Sequence, residues 1–349
     1  MTFGVVGAGA IGGYLAAALS AGGCPVVLYS RHERSQPPCI IRLDGSIQRG
    51  DAPITLTTDP RALSAVSLCI VAVKSTATAD VAAVLDEALL PDAPVVSFQN
   101  GLDNVSTLAR RLGERVFGGV VTFHVIRQGH YRRRASKGKL VAGGVDQVRV
   151  RAMRRFLERA GERLELARDM GPVFAGKLLL NLNNGVCAAT GLGIRDVMLD
   201  RSCRRVLAQC IEEGLTAMRA AGIEPARVSA LPPSLLARAL RLPDFVVARP
   251  SLAITRMAPD ARSSTLDDLD AGRRTEIDAL NGAIVDLAQR HGLDAPANRT
   301  LVAIVHDHEA AVTAGRAPRY LSPEELERRL QLAEDAPSLH DLHVSRGPG

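Results

Sequence analysis

The chain opens TFGVVGAGAIGGYLAAALSAGG over residues 2–23, and this stretch constrains the fold more than any other. An apolar run ending at Val6 reads as a buried strand. Gly7, Gly9 and Gly12 follow as G-x-G-x-x-G, and a small-residue helix then runs to Gly22 and Gly23. Glycine spacing alone is weak evidence. A strand before it and a helix after it form the context in which such a loop cradles a dinucleotide. Gly7 permits the tight turn, Gly9 lets a pyrophosphate reach the backbone, and Gly12 lets helix and strand pack closely. Ala8, Ala10 and Ile11 fill the other places, so all of residues 7–12 are expected to line the cofactor, at a helix N-terminus that favours its phosphates.

Further apolar runs recur: PVVLYS, PITLTT, VSLCIVAVK, APVVSFQNG, RVFGGVVTF and GKLVAGG. Helical patterns intervene at 78–90, 103–112 and 146–160. This alternation predicts a parallel sheet covered by helices. From about residue 171 the strand patterns stop, and helices are expected at 172–190, 201–221, 275–291, 296–314 and 322–333. The fold class is α/β: a Rossmann-type parallel-sheet domain over 1–168, followed by an all-helical C-terminal domain over 169–334. Residues 335–349, with few apolar side chains, are expected to form a disordered tail.

The tip of the second strand selects the cofactor. An NAD site places Asp or Glu there to grip the ribose 2′-hydroxyl, whereas this chain reads LYSRHER. Arg31 suits a 2′-phosphate, which favours NADP; Glu33 leaves NAD open. Lys74 and Asn100 end the next two long apolar runs, where ligands sit in an open parallel sheet. Lys74 can reach a phosphate or ribose. Asn100 can bond a ribose or substrate, or can simply make an Asn-Gly turn.

Composition excludes other classes. The net charge of +6 fits nucleic acid or a small anionic ligand. With no tryptophan and 3% aromatics, stacking platforms for bases are lacking. The basic runs RQGHYRRRASKGK and RVRAMRRFLER read as a solvated face, so no nucleic-acid partner is expected. Six cysteines without paired spacing read as reduced thiols, with no metal site. No run is apolar enough to span a bilayer and no basic region precedes the first apolar run, so a cytoplasmic protein is expected.

Of 43 basic residues only Lys74, Lys137, Lys139 and Lys177 are lysines. Lysine can give up a proton near neutral pH when desolvated; arginine cannot. Lys137 and Lys139 fall in an expected solvated turn. Lys177 lies in the greasy stretch GKLLLNLNNG. On one helix, Lys177, Asn181 and Asn184 are i, i+4 and i+7 and share a face. Buried amides and an ammonium need partners, and a polar substrate supplies them. The stripe could instead bond other protein groups. A ketone reductase needs this inventory: an acid for the developing alkoxide, and amides to orient the carbonyl compound.

At this point the chain resembles the ketopantoate reductase (2-dehydropantoate 2-reductase) family. The resemblance rests on GAGAIGGYLA, SR at Arg31, VAVKS, SFQNGLDN, GKLLLNLNNGVCAATG, RSSTLDDLDAGRRTEIDALNG and HGLDAPAN, spanning residues 4 to about 300. It implies reduction of 2-dehydropantoate to (R)-pantoate, a step towards pantothenate and coenzyme A. It implies Lys177 as proton donor, with Asn181 holding the substrate and Ser264 binding its carboxylate; the shared helix face adds Asn184 as a further substrate amide. Glu276 would contact the bound ligands and arrange Lys177, while Lys74, Asn100 and the Val125 backbone would contact NADPH. Glu276 also sits near an expected helix start, where a carboxylate is favourable without catalysis. The acids Asp267, Asp268 and Asp270 near Ser264 read as solvated or capping. The chain departs from the family pattern where a second helix asparagine is expected: Gly185 stands there and the amide falls at Asn184. Ala261 replaces a further asparagine. A different branched 2-oxo acid, or an NADP(H) sensor without turnover, therefore stays open. The long helical half would also suit a homodimer.

Overall fold

A computed structural model describes residues 1–228, 231–247 and 262–334. Residues 335–349, expected as a tail, and Ala261 lie outside the described residues. The chain separates into two compact units, Met1–Phe174 and Ala175–Gly349. The division falls within the helix Gly171–Asn181, whereas the sequence patterns set it at 168/169.

The first unit is an α/β domain. Its strands are β1 (Phe3–Val6), β2 (Val26–Tyr29), β3 (Cys39–Ile41), β4 (Ile47–Gln48), β5 (Ile54–Thr57), β6 (Leu68–Val71), β7 (Val95–Ser97), β8 (Val116–Val121), β9 (Val125–Gln128), β10 (Tyr131–Arg134), β11 (Leu140–Ala142) and β12 (Leu164–Leu166). Eight form one sheet in the order β12-β11-β8-β7-β6-β1-β2-β5. It is mostly parallel, with β11 running against β8. All four residues of β1 are buried, as both faces of a parallel sheet demand. Phe3, Val5, Leu15 and Leu28 pack on one side, and Val6, Val71, Leu85 and Leu108 on the other.

Register decides where ligands go. Val6 pairs with both Tyr29 and Val71, and Val71 pairs with Ser97. The strands therefore end together, and Gly7, Ser30, Lys74 and Asn100 follow those ends on one edge. From β1 the chain moves to β2 on one side, then returns past β1 to β6, so a topological switch point lies beside the glycine loop.

The sequence patterns missed a second sheet, ordered β4-β3-β10-β9. It corrects the reading of the basic run RQGHYRRRASKGK as a solvated face. Arg132 is 4% exposed. Arg134 bonds the buried Glu162 at 2.6 Å; Glu162 also binds Arg42 at 3.1 Å and accepts the Tyr14 hydroxyl at 2.6 Å. Burial and the Glu162 carboxylate push the Tyr14 phenol up. Lys139 pairs with Glu165. Arginine at alternate strand positions gives no apolar period, so burial by ion pairing was invisible in the pattern.

The second unit is helical, and no strand occurs among its described residues. The expected helix 172–190 is two helices, Gly171–Asn181 and Asn183–Thr190, separated at Leu182. Asn181, Asn183, Asn184 and Gly185 cluster there. Asparagine side chains compete for backbone hydrogen bonds and glycine disfavours helix, so local preference is lowest at this point. The expected helix 275–291 begins instead as a π-helical turn, Asp278–Gly282, before Ala283–Arg290. Among the described residues no helix is long and apolar enough to cross a membrane.

Candidate active site

In the first unit the candidate residues centre on the glycine loop. Gly7 adopts φ 105°, a left-handed conformation that only glycine takes without strain, and a Cβ there would lie 2.9 Å from the Ala72 carbonyl oxygen. A Cβ on Gly12 would overlap the Gly7 carbonyl oxygen, so helix and strand touch there. A Cβ on Gly9 would meet no protein atom within 4 Å. These are the three roles a dinucleotide loop assigns to its glycines: turn, open ligand approach and close packing. Ala10 begins the helix Ala10–Ala21, with Gly9 as its cap.

Lys74 caps a short 3₁₀ turn, Ser75–Ala77, and is half-buried. The Ser75 hydroxyl donates to the Asn100 carbonyl at 2.8 Å, which ties the two loops together. Gly101, the residue after Asn100, takes φ 97°, a conformation that favours glycine. Arg31 is exposed on the loop after β2. Val125 starts β9 in the second sheet, where it pairs with Arg134.

The helical unit, taken by itself, holds the other candidate residues. Asp169 accepts the Gly171 N–H at 2.8 Å and Pro172 occupies the first turn, which starts the Lys177 helix. One residue before Lys177, a Cβ on Gly176 would overlap the Ala226 carbonyl oxygen, so a neighbouring segment packs directly on this turn. Lys177 and Asn181 share this helix at i and i+4; Asn184 belongs to the next one. Lys177 is half-buried by exposed area, yet its ammonium lies deep enough that burial lowers its pKa from 10.5 to about 8. Asn181 and Asn184 are buried. The Asn184 amide donates to the Ser264 hydroxyl at 3.3 Å, so two residues 80 apart in sequence do meet. Ser264 is the exposed first residue of the helix Ser264–Asp270, capped by Ser263.

Glu276 is buried and precedes the π-helical turn by two residues, so it does not open a regular helix. Of the nearby acids, Asp267 and Asp270 are exposed as expected and Asp268 is not. Asp267 and Asp270 pair with Arg262, and Asp268 is buried against Arg273 at 2.9 Å, rather than solvated.

Sequence reasoning missed Asn281. It is fully buried, donates to Asn298 Oδ1 at 3.0 Å, and leaves its own Oδ1 without a partner. A Cβ on Gly185 would lie 2.7 Å from that oxygen. The only sequence signal was a glycine where an asparagine was expected. Gly185→Ala is therefore expected to cost about 1–3 kcal/mol by overpacking. Thermal unfolding checks this, and the cost of Gly185→Ala should shrink when it is measured in an Asn281→Ala background. Equal stability of Gly185→Ala and wild type would show that the contact is not tight.

All six cysteines are free and five are buried; burial pushes the thiols of Cys69 and Cys187 up to about 12. No group of three metal-ligating side chains occurs among the described residues.

Two family models match this chain, and both describe one family. Residues 3–147 match the model for ketopantoate reductase PanE/ApbA, and residues 174–309 match the model for its C-terminal part. A 2-dehydropantoate 2-reductase of Archaeoglobus fulgidus is 27% identical over 88% of this chain and 98% of its own length. Among solved structures, a PanE/ApbA family ketopantoate reductase from Ralstonia eutropha is 28% identical with a TM-score of 0.75, covering 89% of this chain and 99% of that one. D-mandelate dehydrogenase, solved with NADH and anilino(oxo)acetate, shares the fold at a TM-score of 0.73 and 17% identity, over 89% and 99% of the two chains.

Proposed function

Because this chain belongs to the ketopantoate reductase PanE/ApbA family, a family of nicotinamide-dependent 2-oxo acid reductases, we propose that it reduces 2-dehydropantoate to (R)-pantoate with NADPH. The observation that carries the reading is Lys177, an ammonium whose burial lowers its pKa to about 8, on the same helix turn as the buried Asn181. The glycine loop fits a dinucleotide: open space at Gly9, and close packing at Gly7 and Gly12. Arg31, with no carboxylate beside it at the strand tip, supports NADP over NAD. A bound reduced nicotinamide supplies the hydride. Lys74 and Asn100 would contact that cofactor, together with the Val125 backbone.

The chain's own work is acid catalysis and positioning. As negative charge grows on the carbonyl oxygen, Lys177 Nζ gives it a proton. Asn181 and Asn184 orient the oxo acid without adding charge. Ser264, already bonded to Asn184, receives its carboxylate. Glu276 helps to set Lys177.

A second reading keeps the chemistry and changes the acid. Gly185 and the buried Asn281 amide occupy the place where the family pattern expects an asparagine on the helix, which alters what grips the substrate side chain. NADPH oxidation with a panel of branched 2-oxo acids tests both. Ketopantoate as the best substrate supports the first, and another acid supports the second. No turnover across the panel, with NADPH still bound, would contradict both and favour a sensor.

A further inference from the structure

The glycine motif leaves two residues of the first unit unexplained: Gly13, one past the last motif glycine, and the buried Arg132 on β10. The structure joins them. A Cβ on Gly13 would overlap the Arg132 guanidinium, which therefore rests on the start of the helix Ala10–Ala21. β10 lies between β3 and β9, so the arginine is carried by a strand paired on both sides. Its Nε donates to the Gly9 carbonyl oxygen at 2.9 Å, and one terminal nitrogen donates to that of Ala8 at 3.1 Å. The other terminal nitrogen donates to the oxygens of Gly129 and Tyr131 at 3.0 Å, which fixes the guanidinium to its own hairpin.

A trans peptide sets its N–H opposite its C=O, and no cis bond occurs among the described residues. Holding the Ala8 and Gly9 oxygens therefore turns the N–H groups of Gly9 and Ala10 away from Arg132. No side chain caps this helix start, and no acid lies in its first turn, so those donors suit an anion from outside the chain. The two carbonyl oxygens, which would repel a phosphate, face the arginine instead. Burial lowers the Arg132 pKa to about 10, so it is still a cation at neutral pH, set beside the positive end of the helix dipole. We propose that Arg132 is a positioning residue for the cofactor: it grips the carbonyl side of Ala8 and Gly9, so that the amide side is preset for the pyrophosphate, and Gly13 is glycine to seat it. A glycine-rich loop is otherwise free to sample many conformations, and ordering it on binding costs affinity. The inference rests on the dinucleotide reading above and adds to it a residue from the second sheet, which thereby gains a function.

Calorimetric titration of the full-length protein with NADPH, NADH and 2′-AMP tests it without turnover. Arg132→Met should weaken NADPH and NADH by the same factor, about tenfold, because both carry the pyrophosphate. It should weaken 2′-AMP, which has no phosphate for the loop, by less than about threefold. Arg31→Ala should instead weaken NADPH and spare NADH. Arg132→Lys, which keeps a charge without the planar fork, should recover part of the loss. Gly13→Ala, which displaces the guanidinium, should reproduce the loss, and the double variant Gly13→Ala with Arg132→Met should bind no worse than Arg132→Met alone. Gly13→Ala with wild-type affinity would overturn the assignment. So would a loss in Arg132→Met confined to NADPH, which would make it a 2′-phosphate contact. An equal loss on all three ligands would reduce Arg132 to general support of the fold, and the assignment falls. If Arg132→Met binds both dinucleotides as tightly as wild type, the assignment falls while the dinucleotide reading stands. If wild type binds neither dinucleotide, both fall.

Discussion

Replacing Lys177 by alanine is expected to lower kcat for oxo-acid reduction by about 10²–10⁴, the usual contribution of a positioned general acid. NADPH affinity should change less than about twofold, because in this account Lys177 serves the carbonyl and not the dinucleotide. Lys177→Arg should be nearly as inactive, although it keeps the charge, since a guanidinium does not release its proton near neutral pH. Lys177→Met should be at least as stable as wild type, because it keeps the aliphatic stem and removes an ammonium from a buried position. Single-turnover kinetics with a fluorescence titration of NADPH separates the two effects. Wild-type kcat in the alanine variant would remove Lys177 from the mechanism.

The second large effect contrasts two glycines three residues apart. Gly9→Ala should leave the melting temperature unchanged, since its Cβ would meet no protein atom within 4 Å. It should still weaken dinucleotide binding by at least about tenfold, since the methyl enters the space through which a pyrophosphate approaches the backbone. Gly12→Ala should destabilise the fold itself, by about 1–3 kcal/mol or more, because its Cβ would overlap the Gly7 carbonyl oxygen. Thermal melts with and without NADPH resolve the pair. Ligand stabilisation should vanish first in Gly9→Ala, and the apo melt should drop in Gly12→Ala. A stable Gly9→Ala protein with full NADPH affinity would show that the loop does not carry the cofactor.

Much of this was legible in the sequence because the signals were local. A strand, three spaced glycines and a helix specify the loop, since each glycine answers a steric demand of its near neighbours. Continuous apolar runs specify parallel strands because both faces are buried. Lys177 was visible through the scarcity of lysine, and Asn181 through its i+4 spacing. The failures share a cause: long-range polar contacts replaced hydrophobic period. Arg132 and Arg134 looked solvated because nothing beside them in sequence announces carbonyl oxygens at Ala8 and Gly9, or the carboxylate of Glu162. Asp268 looked solvated for the same reason. The break at Leu182 and the π-helical turn at Asp278–Gly282 arise where asparagines and glycines weaken helix preference, and pattern reading extends helices through such points. Gly185 and Asn281, 96 residues apart, form a contact that only the folded chain reveals.

The most direct test of the central claim is the pH dependence of kcat/KM for oxo-acid reduction. In the proposed reaction Lys177 is the acid, and burial lowers its pKa from 10.5 to about 8. The protonated form needed for reduction is therefore present below that value and lost above it. The rate constant should be level near neutral pH and fall as pH rises through about 8, while oxidation of the hydroxy acid, which needs the free amine, rises over the same range. A reduction profile that stays flat to about pH 10, where an exposed lysine titrates, would contradict the account.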